Sequence, residues 1–327
     1  MWHWNNHSFK SMNTQVQIRL FSQSDMADEI LLDVQELFGS FEKRLSRFDT
    51  KSELSQLNIS TQRASLVSPT LLNAIEIALW AAEATNGLYD PTILNNLEQA
   101  GYDRTFEQVA TIYAQSTRDY EPISPIKNIQ RQSFSFREVS FNRTNRKIHK
   151  PVGLRFDLGG MGKGWTVDRA ADQLQGVGPF MVNAGGDIFA YHSPPGEKGW
   201  QVNLIHPFKP EKFYARLHLH HQALATSTIA KRRWQKNGQV MHHLIDPRTK
   251  KPAKTDAISV SVVAERTVLA EIYAKVALIL GAKRGLAYLE RLPGVDGMIF
   301  TDDSQLLYTA GFGLLLDQLE STGFSKN

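Results

Sequence analysis

The 327-residue chain is 42% hydrophobic and 21% charged, values that exclude a disordered chain and give enough length for a large core in one domain or two intimately joined ones. Its formal charge of +4 and pI near 9.1 suit an anionic ligand but are too weak to imply a nucleic acid. The lack of cysteine excludes disulfides, thiolate metal sites, a cysteine nucleophile and a lipidated cysteine anchor.

Residues 1–12, MWHWNNHSFKSM, lack the basic region, apolar stretch and small-residue cleavage site of a secretion signal. No run of about 18 apolar residues occurs, so no membrane span is expected and the cytoplasm is the simplest location. Residues 14–21 alternate polar and apolar and predict a strand with one buried face. Met26, Ile30, Leu31, Val34, Leu37, Phe41 and Leu45 then recur at helical spacing, predicting a helix over 25–48 capped by Asp25, with Asp28 in support. A second helix is expected over 69–86, opened by Ser68-Pro69 and stopped near Asn86-Gly87, and a short third over 92–100. Residues 119–133 are hard to assign and are expected to contain loop. Beyond them, 134–141, 180–183, 200–205, 214–220 and 258–264 read as strands, interrupted by helices at 164–175 and 267–280. The expected class is α+β, with helices concentrated early and strands later. No internal repeat, zinc finger, dinucleotide fingerprint or P-loop is present.

Four segments concentrate reactive chemistry. The first runs from Arg155 through Asp157, Gly159, Gly160, Gly162, Lys163, Gly164 and Trp165 to Asp168. Its glycines permit tight turns and close backbone approach, amides at a helix start attract phosphate, and Lys163 adds a positive charge. A plain glycine-rich turn explains the spacing equally well. The second, Val182-Asn183-Ala184-Gly185-Gly186-Asp187-Ile188, reads first as a turn and second as a surface for a ligand. The third joins Thr226, Ser227 and Thr228 to Lys231, Arg232, Arg233 and then His242, His243 and Asp246. Hydroxyls and basic groups suit an anion, and His243 with Asp246 suits acid–base work. Adjacent histidines on a strand face opposite ways, which disfavours joint chelation by His242 and His243. In the fourth, Glu271 and Lys275 share a helix face in the order favourable for a surface ion pair, with a ligand-facing pair as the alternative.

In order, these segments resemble those of the FAD:protein FMN transferase, or ApbE, family. Met12-Asn13-Thr14 resembles its opening Met-Gly-Thr, with Asn in place of Gly. Ser52-Glu53-Leu54-Ser55-Gln56-Leu57-Asn58, Gly87-Leu88-Tyr89-Asp90-Pro91-Thr92, the Asp157–Asp168 segment, Asn183–Asp187 and His243-Leu244-Ile245-Asp246-Pro247 continue the likeness over residues 9–312. The resemblance implies an ApbE, T-fold-like α+β domain over 9–315, with two joined lobes, an active-site cleft and a soft boundary near 120–135. It implies transfer of FMN from FAD to a Thr or Ser hydroxyl of an acceptor protein, with release of AMP. Asn58 and Asp90 would lie near the flavin, with Met12, Gly160 and Ser227 also at the cofactor. Lys163 and Asp168 would contact the nucleotide, Gly185, Gly186 and Asp187 would line the site, and His243 would help activate the acceptor hydroxyl.

The family's usual Mg²⁺ would fall to the Gly162 carbonyl and Glu271, but its customary Asp and Thr are here Glu271 and Lys275. A protonated lysine has no lone pair for a hard cation. Either Lys275 replaces part of the metal's charge and acts in catalysis, or Mg²⁺ stays on Glu271, the Gly162 carbonyl and waters, or the site no longer catalyses. A non-catalytic FAD-binding protein and an FAD pyrophosphate hydrolase are the rival functions. The acceptor protein and the oligomeric state are not legible in the residues.

Overall fold

A computed structural model describes residues 1–115, 134–236 and 238–319. The chain forms two compact units. The first comprises Met1–Ser40, Met161–Ala230 and the described residues from Thr255 onward; the second comprises the described parts of Phe41–Gly160 and Lys231–Lys254. The soft boundary expected at 120–135 lies, save for its last two residues, outside the described residues, as does the loop expected over 119–133.

The first unit is organised by an eight-stranded sheet, whose order is His3–Ser11, Thr14–Ser22, Phe180–Ala184, Asp187–Tyr191, Gln222–Thr228, Ala257–Ala264, Asp296–Thr301 and Leu306–Tyr308. Each neighbouring pair is antiparallel. The alternation in 14–21 dictates its central register: Val16, Ile18 and Leu20 stand opposite Ala184, Val182 and Phe180, and all six are buried. On this face pack Leu31, Val34 and Phe38 of the helix Ala27–Leu45, and Val167, Ala170, Ala171 and Leu174 of the helix Gly162–Leu174. These positions recur at three and four residues, the spacing of one helical face. A separate three-stranded sheet joins Trp200–His206, Lys209–Leu219 and Leu316–Leu319.

Two hairpin turns explain local residue choices. Ala184 pairs with Asp187, so Gly185 and Gly186 form a two-residue loop, and both have positive φ, +65° and +99°. That combination matches the right-handed strand twist and favours glycine. Ser11 likewise pairs with Thr14 across Met12 and Asn13, at φ 52° and 56°. Asparagine tolerates this left-handed region better than other side-chain-bearing residues, which accounts for Asn13 where the resemblance places glycine. Met12 bears the larger steric cost.

The second unit contains the helices Glu53–Ile59, Pro69–Ala84, Leu94–Gln99 and Phe106–Gln115, a small sheet of Ala64–Leu66, Lys147–His149 and Ser140–Asn142, and the hairpins Arg233–Lys236/Gln239–His242 and Ile245–Asp246/Lys251–Pro252. Its core includes Leu97, Ala100, Tyr102, Val109, Trp234 and Ile245. The Trp234 indole stacks on Tyr102 at 5.6 Å and donates to the Ala100 carbonyl at 3.0 Å, so its one polar atom is satisfied.

Three expectations need correction. The first long helix begins at Ala27; Met26 is exposed, and Ser24 Oγ accepts the Met26 amide at 3.2 Å where Asp25 was expected to cap. Residues 136–138 form a 3₁₀ turn closed by a reciprocal capping box between Ser135 and Glu138, and only Ser140–Asn142 is strand. The polar–apolar alternation of this segment gives way because Ser135 and Glu138 satisfy the turn's free amides. The α+β class holds, but its first two strands, at the N-terminus, join the same sheet as the later ones.

His242 is buried within the second unit. Its Nε2 donates to the Ala253 carbonyl at 2.9 Å and its Nδ1 accepts the Leu244 amide at 3.3 Å. A protonated ring would turn a second N–H toward that amide. Burial therefore pushes the His242 pKa down, with Arg233 adding to the effect against the Ala253 carbonyl. Folding favours the neutral ring, so this contribution to stability is complete above the ordinary histidine pKa of about 6.5 and is lost as pH falls through the lowered folded-state value. The urea midpoint of the protein should fall as pH is taken from about 7.5 to about 5.5. That slope should be shallower in His242→Gln; equal slopes would show that another group causes it.

Candidate functional site

The first unit brings together Lys163, Asp187, Glu271 and Lys275. Lys163 sits in the first turn of the helix Gly162–Leu174, Asp187 opens the strand after the Gly-Gly turn, and Glu271 and Lys275 share one face of the helix Thr267–Leu280. The Lys163 ammonium donates to Asp187 Oδ2 and to Glu271 Oε1, the latter at 3.0 Å. Lys275 Nζ donates to the same Glu271 oxygen at 3.3 Å, and the Gly164 amide donates to Glu271 Oε2 at 2.9 Å. Glu271 is only 2% exposed, so it is no surface partner for Lys275; it is a buried carboxylate between two ammonium groups.

Backbone approach makes this possible. A Cβ on Gly164 would lie 2.8 Å from the Thr267 carbonyl oxygen and 3.0 Å from Glu271 Oε2. Glycine at 164 therefore lets the two helices pack main chain to main chain, within reach of the Glu271 carboxylate. Asp168, one turn further on, accepts the Thr267 amide at 2.7 Å and the Val268 amide at 3.0 Å. It thus satisfies two free amides at the start of the Thr267 helix, where a carboxylate is also favoured by the helix dipole. Arg266 lies 3.6 Å from Asp168 and donates to Asp172 at 2.9 and 3.2 Å.

Electrostatics separate the two carboxylates. Burial raises the Asp187 pKa and the nearby Glu271 charge adds to this, against the lowering effect of Lys163. Burial also opposes ionisation of Glu271, but Lys163, Lys275 and the Gly164 amide outweigh it and bring its pKa down. Lys163 is disfavoured as an ion by burial, yet Asp187 and Glu271 raise its pKa and hold it charged.

The residues present do not fit the Mg²⁺ that the resemblance implies. Both Glu271 oxygens already accept hydrogen bonds, two of them from ammonium groups that would repel a divalent cation at the same oxygen. The Gly162 carbonyl accepts the Thr166 hydroxyl at 2.7 Å. No group of three or more His, Asp or Glu side chains placed to hold a metal occurs among the described residues.

The turn glycines have different surroundings. A Cβ on Gly185 would overlap the Thr14 hydroxyl, whereas one on Gly186 would meet nothing within 4 Å. Gly185 is thus required by a neighbouring strand, and Gly186 offers open backbone. Met12 forms the adjacent hairpin turn and packs partly on the core. Ser227 is buried in its strand opposite Val260, while Thr228 donates to the Ile258 carbonyl at 3.0 Å.

Within the second unit, three motifs converge on residues 155–157. The Asn58 side chain donates to the Phe156 carbonyl at 2.9 Å and accepts its amide at 2.7 Å. The Asp157 amide donates to the Pro91 carbonyl at 2.8 Å, and its carboxylate accepts the Gly159 amide at 3.2 Å and forms an ion pair with Arg47, whose Nε lies 3.1 Å away. Arg155 donates to Asn95 at 2.6 Å and to both Glu98 oxygens. Asp90 Oδ1 accepts the Thr92 amide and hydroxyl at 2.8 and 2.6 Å, with Lys250 3.5 Å from the other oxygen. Gly160 follows this knot and is half-buried. His243 lies edge-on to Tyr102 at 6.1 Å, and Asp246 is held by the amide and guanidinium of Arg248 at 2.8–2.9 Å.

Arg47 and Arg266 are positioning residues that sequence reasoning missed. Arg266 left a signal, because a cation just before a helix opposes the helix dipole unless an acid faces it. Arg47 left none.

Gly164→Ala should gain up to about 1 kcal/mol of helix propensity. It should lose more, about 1–3 kcal/mol, by forcing Thr267 and Glu271 away. The expected net result is a lower urea midpoint; an unchanged or higher one would show that the helices separate without cost.

A family model described as the ApbE family matches residues 12–299. A FAD:protein FMN transferase of Treponema pallidum is 27% identical over 319 residues, covering 92% of this chain and 85% of that protein. The ApbE protein of Thermotoga maritima superposes with a TM-score of 0.81 at 22% identity, covering 97% of this chain and 100% of that one. The flavin transferase ApbE of Vibrio cholerae superposes at 0.77 and 22%, with the same coverage. The structural likenesses establish the mixed α/β fold. With the family pattern running through nearly all of the chain, this protein belongs to the ApbE family.

Proposed function

We propose that the chain transfers the FMN part of FAD to a threonine or serine hydroxyl of an acceptor protein and releases AMP. The observation that carries this reading is the pair of ammonium groups, Lys163 and Lys275, gathered at one helix start around Glu271. Family membership supports it, and the relative from Treponema pallidum bears the name of that activity.

In the proposed step the acceptor oxygen attacks the phosphorus on the riboflavin side of the FAD diphosphate. A new phosphorus–oxygen bond forms, and the bond from that phosphorus to the bridging oxygen breaks. AMP leaves with the bridging oxygen and its electron pair, and the hydroxyl proton passes to a base, assigned to His243. Negative charge builds on the phosphoryl oxygens and the leaving oxygen, where Lys163 and Lys275 offset it. Gly186 supplies open backbone beside Asp187 for the same ligand. A neutral hydroxyl is a weak nucleophile, so the base contributes as well. No helix among the described residues is long and apolar enough to cross a membrane.

Purified protein should be incubated with FAD and a recombinant acceptor domain carrying one target threonine, beside its Thr→Ala counterpart. AMP release should match covalent flavin on the acceptor one for one and vanish with the alanine form. Free FMN in place of covalent flavin would identify a hydrolase, and FAD binding without AMP a carrier. Lys163→Ala should lower the rate about 100-fold or more, the usual cost of removing one group that stabilises transition-state charge. His243→Ala should lower it about 10²- to 10⁴-fold.

A further inference from the structure

We infer that this chain neutralises the diphosphate of its flavin dinucleotide with lysine ammonium groups and not with a divalent cation, Lys275 standing as the second cation beside Lys163. The inference rests on the FAD reading of the same site and adds how its charge is managed.

Three observations converge. First, Glu271 accepts from two ammonium groups and one backbone amide, so its lone pairs are directed at donors and not at a metal. Second, the two lysines and two carboxylates sum to zero formal charge, while the FAD diphosphate is a dianion. The cluster's sum therefore favours neither sign, but its geometry does: at Glu271 Oε1 a divalent cation would stand beside two ammonium groups, whereas a dianion reaching the free side of Lys275 would meet a cation already held in place. Third, an ammonium has three donors, and Glu271 takes one of those on Lys275. Glu271 is the positioning residue: buried, ionised and fixed by the Gly164 amide, it holds both ammonium groups near one point without touching the ligand itself. Lys275 follows Glu271 by one helical turn, and Lys163 comes from another helix, so the pair forms only when Gly164 lets those helices meet.

The full-length protein should be titrated with FAD, following flavin fluorescence, in Mg²⁺ and in EDTA, and FAD-loaded protein should be titrated with Mn²⁺ under electron paramagnetic resonance. FAD affinity is expected to agree between the two buffers, and Mn²⁺ to remain free. Lys275→Ala should weaken FAD binding in EDTA about 10- to 100-fold, the loss expected of one charge-assisted hydrogen bond. Because that change leaves the buried carboxylate with one ammonium fewer, Glu271→Gln combined with Lys275→Met serves as a second, neutral variant that keeps the packing. It should stay folded, with a urea midpoint no lower than that of Lys275→Ala, and show a loss at least as large, since the glutamine side chain at 271 no longer accepts from both Lys163 and the Gly164 amide. Binding that requires Mg²⁺, stoichiometric capture of Mn²⁺, or undiminished EDTA-resistant binding by a folded double variant would overturn the inference while leaving the transferase reading in place. Failure to bind FAD in either buffer would overturn both.

Discussion

Glu271 is the group on which the candidate site depends. Burying a carboxylate costs several kcal/mol even after relaxation. Two unit charges about 3 Å apart regain roughly 5 kcal/mol at an effective dielectric of about 20. One ammonium thus roughly balances the burial of one carboxylate; Lys163 and Lys275 together turn the balance toward the ion, as the lowered Glu271 pKa reflects. Either lysine alone would leave Glu271 marginal. Without Glu271, the lysines would face each other with Asp187 as the remaining acid of the four. Order in this corner of the molecule is therefore collective, and no member is usefully described by a pairwise energy.

Collective order requires that the elements arrive at the right distance before the charges meet. The sheet register accomplishes the first part: Val16, Ile18 and Leu20 fix the strands that lead into the Gly185-Gly186 turn, and that turn sets Asp187 at the head of its strand. Val167, Ala170 and Leu174 seat the next helix on the same face, which brings Lys163 alongside. Asp168 then fastens the start of the Thr267 helix through two amides, and Glu271 follows one turn later. Apolar burial thus places the groups coarsely, and hydrogen bonds to helix ends place them finely. The polar contacts could not assemble the unit by themselves, because each is worth little until water has been excluded.

Much of this was legible in the residues, and what was not has identifiable causes. The strand at 14–21 and the helices near 69–86 and 164–175 declare themselves because each keeps exposed positions opposite a buried face, which writes a period into the sequence, whereas the helix near 267–280 has no exposed position and shows as an apolar run. His3–Ser11 was missed because this edge strand is exposed or half-buried along almost its whole length, leaving no apolar period. Gln222–Thr228 was missed for the opposite reason: it lies inside the sheet and consists largely of small residues buried on both sides. At 134–141 the alternation suggested a strand although Ser135 and Glu138 already spelled a capping box, and the local hydrogen bonds won. In the site, the chemical types were visible, but the sharing of one carboxylate by lysines 112 residues apart in sequence was not. Helical spacing showed that Glu271 could reach Lys275; only the packing at Gly164 shows that it also meets Lys163.

The second unit shows why motif residues resist assignment by type alone. Asn58, Asp90 and Asp157 carry the groups expected of ligand contacts, yet each is engaged by nearby main chain: Phe156, Thr92 and Gly159 respectively. Asn58 holds both the carbonyl and the amide of Phe156, which no apolar side chain could replace without leaving two buried backbone groups unsatisfied. The next residue, Asp157, is tied to Pro91, so the Asp90-Pro91-Thr92 turn and the start of the glycine-rich segment are linked through backbone. The hydrogen-bonded main chain at 155–157 precedes the glycines at 159 and 160, and the helix bearing Lys163 begins just beyond them. The same sequence pattern would persist whether selection acted on contact with flavin or on the main-chain conformation at 155–157. The two causes differ in what a side-chain change disturbs: loss of a direct contact weakens the ligand complex alone, whereas loss of the Asn58 clamp lowers the stability of the free protein by about 1–3 kcal/mol for each backbone group left unpaired.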